Sequence, residues 1–168
     1  MQYRTDKQEM KTIYDKQVQE DLINRINRLG ENSQRQWGKM TVRQMIKHCL
    51  AWDEMSFGKM NLKQVFIGRL FGKMALKSFL KDNKPVRRNM GTLPELKITK
   101  EIKEDLNTLK ERWTTSIQKY TTLKDNHEYI HSFFGKLNKE QIGVLAYKHA
   151  DHHLRQFGVN CNPVEKKV

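Results

Sequence analysis

Tyr147-Lys148-His149-Ala150-Asp151-His152-His153-Leu154-Arg155-Gln156-Phe157-Gly158 sets the structural class of this chain. No Pro or Gly interrupts it before Gly158, which is a natural helix stop. Traced backwards, it opens at Asn138-Lys139-Glu140-Gln141, a capping box in which Asn138 caps and Gln141 reaches back. Between those signals Ile142, Leu145, Ala146, His149 and His153 recur at helical spacing. The segment is one long amphipathic helix whose apolar stripe runs on into two histidines.

Three more helices follow from the same pattern. Ile13, Val18, Leu22, Ile23, Ile26 and Leu29 predict a helix from about Lys7 to Leu29, stopped by Gly30. Thr41-Val42-Arg43-Gln44 is a second capping box, and Val42, Met45, Ile46, Cys49, Leu50 and Met55 carry its helix to Gly58. Ile102, Leu106, Leu109, Trp113 and Ile117 mark a helix starting near Thr99. Period-2 runs of β-branched residues are missing, so the expected class is all-α, a four-helix bundle. The second and third helices are separated by residues 59–96, too long for a hairpin link. Leu62, Val65, Phe66, Leu70, Met74, Phe79 and Leu80 suggest one or two short helices there, weakened at Gly68 and Gly72. Residues 84–96 read as extended irregular chain. A long crossover between helices two and three fits this length.

Composition narrows the class. The chain has 168 residues, 32 Lys+Arg against 19 Asp+Glu, and a formal net charge of +13. One domain over residues 1–168 is the expectation, large enough to bury a core unaided. No run approaches the roughly 18–20 apolar residues of a membrane span, and Met1-Gln2-Tyr3-Arg4-Thr5-Asp6-Lys7 carries no secretory apolar region. Two cysteines, Cys49 and Cys161, exclude a disulfide scaffold. The expectation is a cytoplasmic protein.

Six histidines carry the chemistry, at 48, 127, 131, 149, 152 and 153. On a helix, residues four apart share a face, so H-x-x-x-H can close two imidazoles on one metal ion. His127-Glu128-Tyr129-Ile130-His131 matches H-E-x-x-H, in which two His bind zinc and Glu activates water. Its context opposes a zincin, because a turn precedes it and Gly135 follows within four residues of His131. His149 and His153 lie inside a sustained helix, and His48, on the second helix, could supply a third ligand. His152 is turned about 100° from His153 and faces elsewhere. Gln44, Gln156 and Asp151 are candidates to orient the rings, and Trp52 lies one turn from His48. His131, reached through the preceding loop, is a candidate pocket residue. Three neutral imidazoles suit zinc or nickel and leave a position open to substrate.

At these residues the chain resembles the DinB/YfiT-like superfamily of small bacterial four-helix metalloenzymes. That family places one His late in the second helix and H-x-x-x-H in the last, often followed by Gln. The pattern maps onto His48, onto His149 with His153, and onto Gln156. Trp37-Gly38-Lys39-Met40-Thr41, Met45-Ile46-Lys47-His48-Cys49 and His131-Ser132-Phe133-Phe134-Gly135 are similar to a narrower DinB-related group with no assigned reaction. The likeness spans about residues 22–159. It implies an up-up-down-down bundle with the long crossover between helices two and three. Some relatives are thiol-dependent transferases or isomerases; this sequence carries no thiol-binding signature of its own, and a small-molecule substrate, a thiol among the candidates, is the expectation. A homodimer is a candidate assembly.

A rival reading rests on charge. Between Lys59 and Arg88 there are nine Lys/Arg and one acid, Asp82. Lys63, Lys73, Lys77 and Lys81 alternate with apolar residues, as on a face that binds nucleic acid or another polyanion, or on a helix lying on anionic lipid. No helix-turn-helix or other nucleic-acid motif accompanies them.

Overall fold

In the computed structural model, which describes residues 9–60 and 62–161, five helices and one short hairpin are formed. The helices are α1 (Lys16–Asn27), α2 (Val42–Ser56), α3 (Phe66–Phe79), α4 (Leu106–Lys119) and α5 (Lys139–Gln156). Strands β1 (Glu128–His131) and β2 (Gly135–Asn138) pair antiparallel, with His131 opposite Gly135. Single 3-10 turns occupy Pro94–Leu96 and Tyr120–Thr122.

Both capping boxes form as the sequence dictates. The Thr41 side chain accepts from the Gln44 backbone N–H, and Asn138 accepts from that of Gln141. Two helix starts differ from the expectation. The first helix begins at Lys16 because the Asp15 carboxylate caps it, accepting from the Gln17 and Val18 N–H groups. Lys7 lies outside the described residues. The helix expected near Thr99 begins at Leu106, where the Asp105 carboxylate accepts from the Thr108 N–H. Ile13 is buried and Ile102 half-buried all the same, but both sit on irregular chain.

The expectation of an all-α protein is corrected by the hairpin. Its two strands are four residues each, with alternating exposure. β1 takes up Glu128–His131 of the H-E-x-x-H segment, with His127 just before it, so residues four apart there lie about 13 Å along an extended chain rather than one helical turn apart.

α4 and α5 each pack against both α1 and α2. Leu22, Ile26, Met45, Ile46, Leu109, Trp113, Ile117 and Leu154 close the space between them and are fully buried. Burying each such side chain contributes about 1.5–3 kcal/mol before entropy is charged against it. The 59–96 connection holds one helix, α3, which packs on β2. Gly68 and Gly72 are its contact surface and not its weak points: a Cβ on either would run into the Phe133 carbonyl. Val65 N–H donates to the Ser132 carbonyl at 2.8 Å and Gln64 Nε2 to the Phe133 carbonyl at 3.2 Å, which fixes the start of α3 to the hairpin tip.

Candidate metal centre

α2 and α5 face one another, and their contact brings three imidazoles together. His48, His149 and His153 place their ligand nitrogens within 4.8 Å of one another, a cluster that could hold a metal ion. His48 and His153 are buried, and His149 is partly accessible. The ring centroids are 4.6–4.9 Å apart. His48 Nε2 is 3.0 Å from His149 Nε2, close to the roughly 3.3 Å between two nitrogens that share a tetrahedral zinc ion.

The other ring nitrogens explain which atoms are free. His48 Nδ1–H donates to the Leu96 carbonyl at 2.8 Å. His153 Nδ1–H donates to Gln156 Oε1 at 2.8 Å, and Gln156 Nε2 donates to the Trp37 carbonyl at 2.9 Å. Each contact puts the proton on Nδ1 and leaves the Nε2 lone pair for the cluster, the usual way a ligating histidine is oriented. Gly38 lets Gln156 reach that carbonyl. It sits at φ +78°, and a Cβ there would lie 2.5 Å from Gln156 Nε2. With His48 Nε2 unprotonated, the 3.0 Å contact is a hydrogen bond donated by His149 Nε2–H. His149 is therefore the ring whose tautomer would have to change for all three Nε2 lone pairs to face one point.

Burial, and then the neighbouring imidazoles, hold His149 and His153 well below the ordinary histidine range. Burial lowers His48 too, against the Leu96 hydrogen bond, which raises it. All three are neutral at neutral pH, which is the state that ligates metal.

Trp52 stacks on His149 with centroids 4.2 Å apart and planes 13° off parallel. His131 meets Trp52 edge-on at 5.4 Å and stacks on Phe134 at 4.5 Å. Its Nδ1 accepts from the Phe133 and Phe134 N–H groups, both at 3.1 Å, so the proton is on Nε2. Burial pushes His131 down to about 4. His131 Nε2 and Trp52 Nε1 are buried donors without a hydrogen-bond partner.

Gln44 and Asp151 do not orient the rings. Gln44 completes its capping box, accepting from the Thr41 N–H, and donates to the Lys100 carbonyl. Asp151 points the other way round α5. Its two oxygens bind Arg25 at 2.9 Å and Arg155 at 2.7 Å. His152 lies toward Trp37, with ring centroids 5.5 Å apart. In the H-E-x-x-H segment, His127 Nε2–H donates to the Ser56 carbonyl at the end of α2, and Glu128 pairs with Lys136. That segment lacks the helix a zincin requires. Sequence reasoning missed the carbonyls of Leu96 and Trp37, because a backbone acceptor leaves no residue signature.

A family model described as the DinB superfamily matches residues 15–157. No curated protein and no solved structure matches the chain.

Proposed function

The chain belongs to the DinB superfamily, and we propose that it is a divalent-metal-dependent enzyme, a thiol-dependent transferase or a hydrolase, acting in the cytoplasm on a small molecule. The proposal includes one domain over the chain, with an up-up-down-down arrangement in which α3 rides on the crossover. His48, His149 and His153 are the proposed ligands, through Nε2, and zinc or nickel the proposed ion. The observation that carries this reading is three buried or half-buried neutral imidazoles, two with Nδ1 already engaged by an oxygen acceptor.

A divalent ion held by three neutral ligands supplies Lewis acidity to an oxygen or sulfur atom of the substrate. The rest falls to the chain's own side chains. Gln156 holds His153 against rotation, and the Leu96 carbonyl does the same for His48. Trp52 covers one face of His149 and keeps water from it. The unpartnered N–H groups of Trp52 and His131 are available to an acceptor atom of the substrate, which would satisfy groups that are costly to bury alone.

A non-catalytic module for nucleic acid or another polyanion is the second reading. The exposed row Arg69, Lys73, Lys77 and Lys81 favours it, but it gives the histidine cluster no role. Elemental analysis of the untagged protein separates the two. One zinc or nickel per chain, lost in His48→Ala and His149→Ala and bound about 10–100-fold more weakly in Gln156→Ala, is expected. Protein that stays metal-free after incubation with both ions would end the enzyme reading.

A further inference from the structure

α3 turns its apolar residues outward. Phe66 is 76% exposed, Met74 69%, Leu70 61%, Ile67 57% and Phe71 49%. At 100° per residue these five fall within one face of about 140°. The buried face of the same helix is Gly68, Gly72 and Leu76. α3 cannot roll to hide its apolar face, because any side chain brought to the glycine positions meets the Phe133 carbonyl. Its outward face is thus fixed by backbone contact.

Along the border between the two faces lie the exposed Arg69 and Lys73, with the exposed Lys77 just inside the edge of the apolar face and Lys81 beyond the helix end. α3 carries no acidic residue. A groove of about 1330 Å3 opens beside the row, between α3 and the hairpin, lined by Arg69, Lys73, Lys77, Lys81 and Lys136 and by no acid.

We propose that the outer face of α3 docks the protein onto an anionic phospholipid surface, with Phe66, Ile67, Leu70, Phe71 and Met74 entering the acyl boundary and the basic row meeting headgroup phosphates. An apolar face edged by Lys and Arg is what an interfacial helix presents to such a bilayer. Charge argues against a second copy as the occupant. Two molecules of net charge +13 would bring their basic rows together with no acid on either α3 to answer them. A nucleic acid would engage the row but has no use for the aliphatic Ile67, Leu70 and Met74. The surface is independent of the histidine cluster, and neither proposal needs the other.

The test is co-sedimentation of the full chain with vesicles of phosphatidylcholine alone or mixed with phosphatidylserine. Binding to the mixed vesicles at least about 10-fold tighter than to phosphatidylcholine alone is expected. Lys73→Glu/Lys77→Glu should weaken it about 100-fold, and Leu70→Ser/Met74→Ser about 10-fold, with unchanged circular dichroism. All four side chains are exposed, so folding is not at stake. Three results would overturn the proposal. One is no binding to either vesicle. A second is a solution dimer dispersed by Leu70→Ser/Met74→Ser, which would make the face a contact between copies. The third is DNA binding lost in the lysine variant and indifferent to the apolar one.

Discussion

α5 buries eleven of its eighteen residues, among them Lys148, Asp151, His153 and Gln156. α3, rich in Phe, Leu and Ile, buries three of fourteen, two of them glycines. The more polar helix is the inner one. Its polar groups go inside because each finds a partner: Lys148 the Lys84 carbonyl, Asp151 two guanidinium groups, His153 the Gln156 amide. The apolar groups of α3 stay outside because a backbone contact through Gly68 and Gly72 sets the helix orientation first. Burial here follows pairing and steric access, and side-chain hydropathy comes second.

The largest effect expected from breaking a pairing on α5 is at Asp151. Asp151→Ala leaves Arg25, 1% exposed, with Asp21 as its remaining ion-pair partner, and should destabilise the fold by about 3 kcal/mol. Replacing both groups, in Arg25→Met/Asp151→Leu, should recover most of that loss in urea denaturation. Failure of the double variant to recover would mean that the pair does more than neutralise itself.

The next effect lies at the seam between the two regions, where the hairpin's His131 meets Trp52. Held near 4 in the fold against 6.5 when free, His131 refuses a proton that the unfolded chain takes up, so stability falls as pH drops from about 6.5 to 4. Up to ~3 kcal/mol is at stake. Asp53 works in the opposite direction. Burial raises it from 3.8 to about 7, so stability falls as pH rises through that interval. The two windows overlap and oppose each other, so urea melts across pH 4–8 should show the stability gained between pH 4 and 6.5 made smaller in His131→Gln and larger in Asp53→Asn.

The smallest expected effect is the sharpest test of α3. Leu70→Ser should change the folding free energy by no more than about 0.5 kcal/mol, as for an ordinary surface site. A loss of a core leucine's size, about 2 kcal/mol or more, would show that the face is covered within the molecule.

Helices are legible in the sequence where caps and spacing agree. Thr41 with Gln44 and Asn138 with Gln141 gave α2 and α5 to within a residue or two. Spacing alone carries the first and third helices too far back. Ile13 and Ile102 lie on the apolar side but precede the caps Asp15 and Asp105, and packing does not require a helix. The hairpin is hidden because four-residue strands offer too few alternations to show a period. At the site, His48, His149, His153 and Gln156 are legible from spacing and resemblance. Gln44 and Asp151 mislead because each already has a local duty, a cap or a buried arginine, that only three-dimensional contact reveals.

Two of the three histidine rings are steadied directly or through Gln156 by the main chain at Leu96 and Trp37. The path of the 3-10 turn at Leu96 and of the loop at Trp37 therefore acts as a tuning element whose setting is encoded in length more than in side-chain identity. Apart from Gly38, where a Cβ would push Gln156 away, exchanging side chains there can leave the rings where they are, whereas adding or removing a residue displaces the carbonyl and shifts the rings. Drift in this protein should be readable from its insertions and deletions before its substitutions.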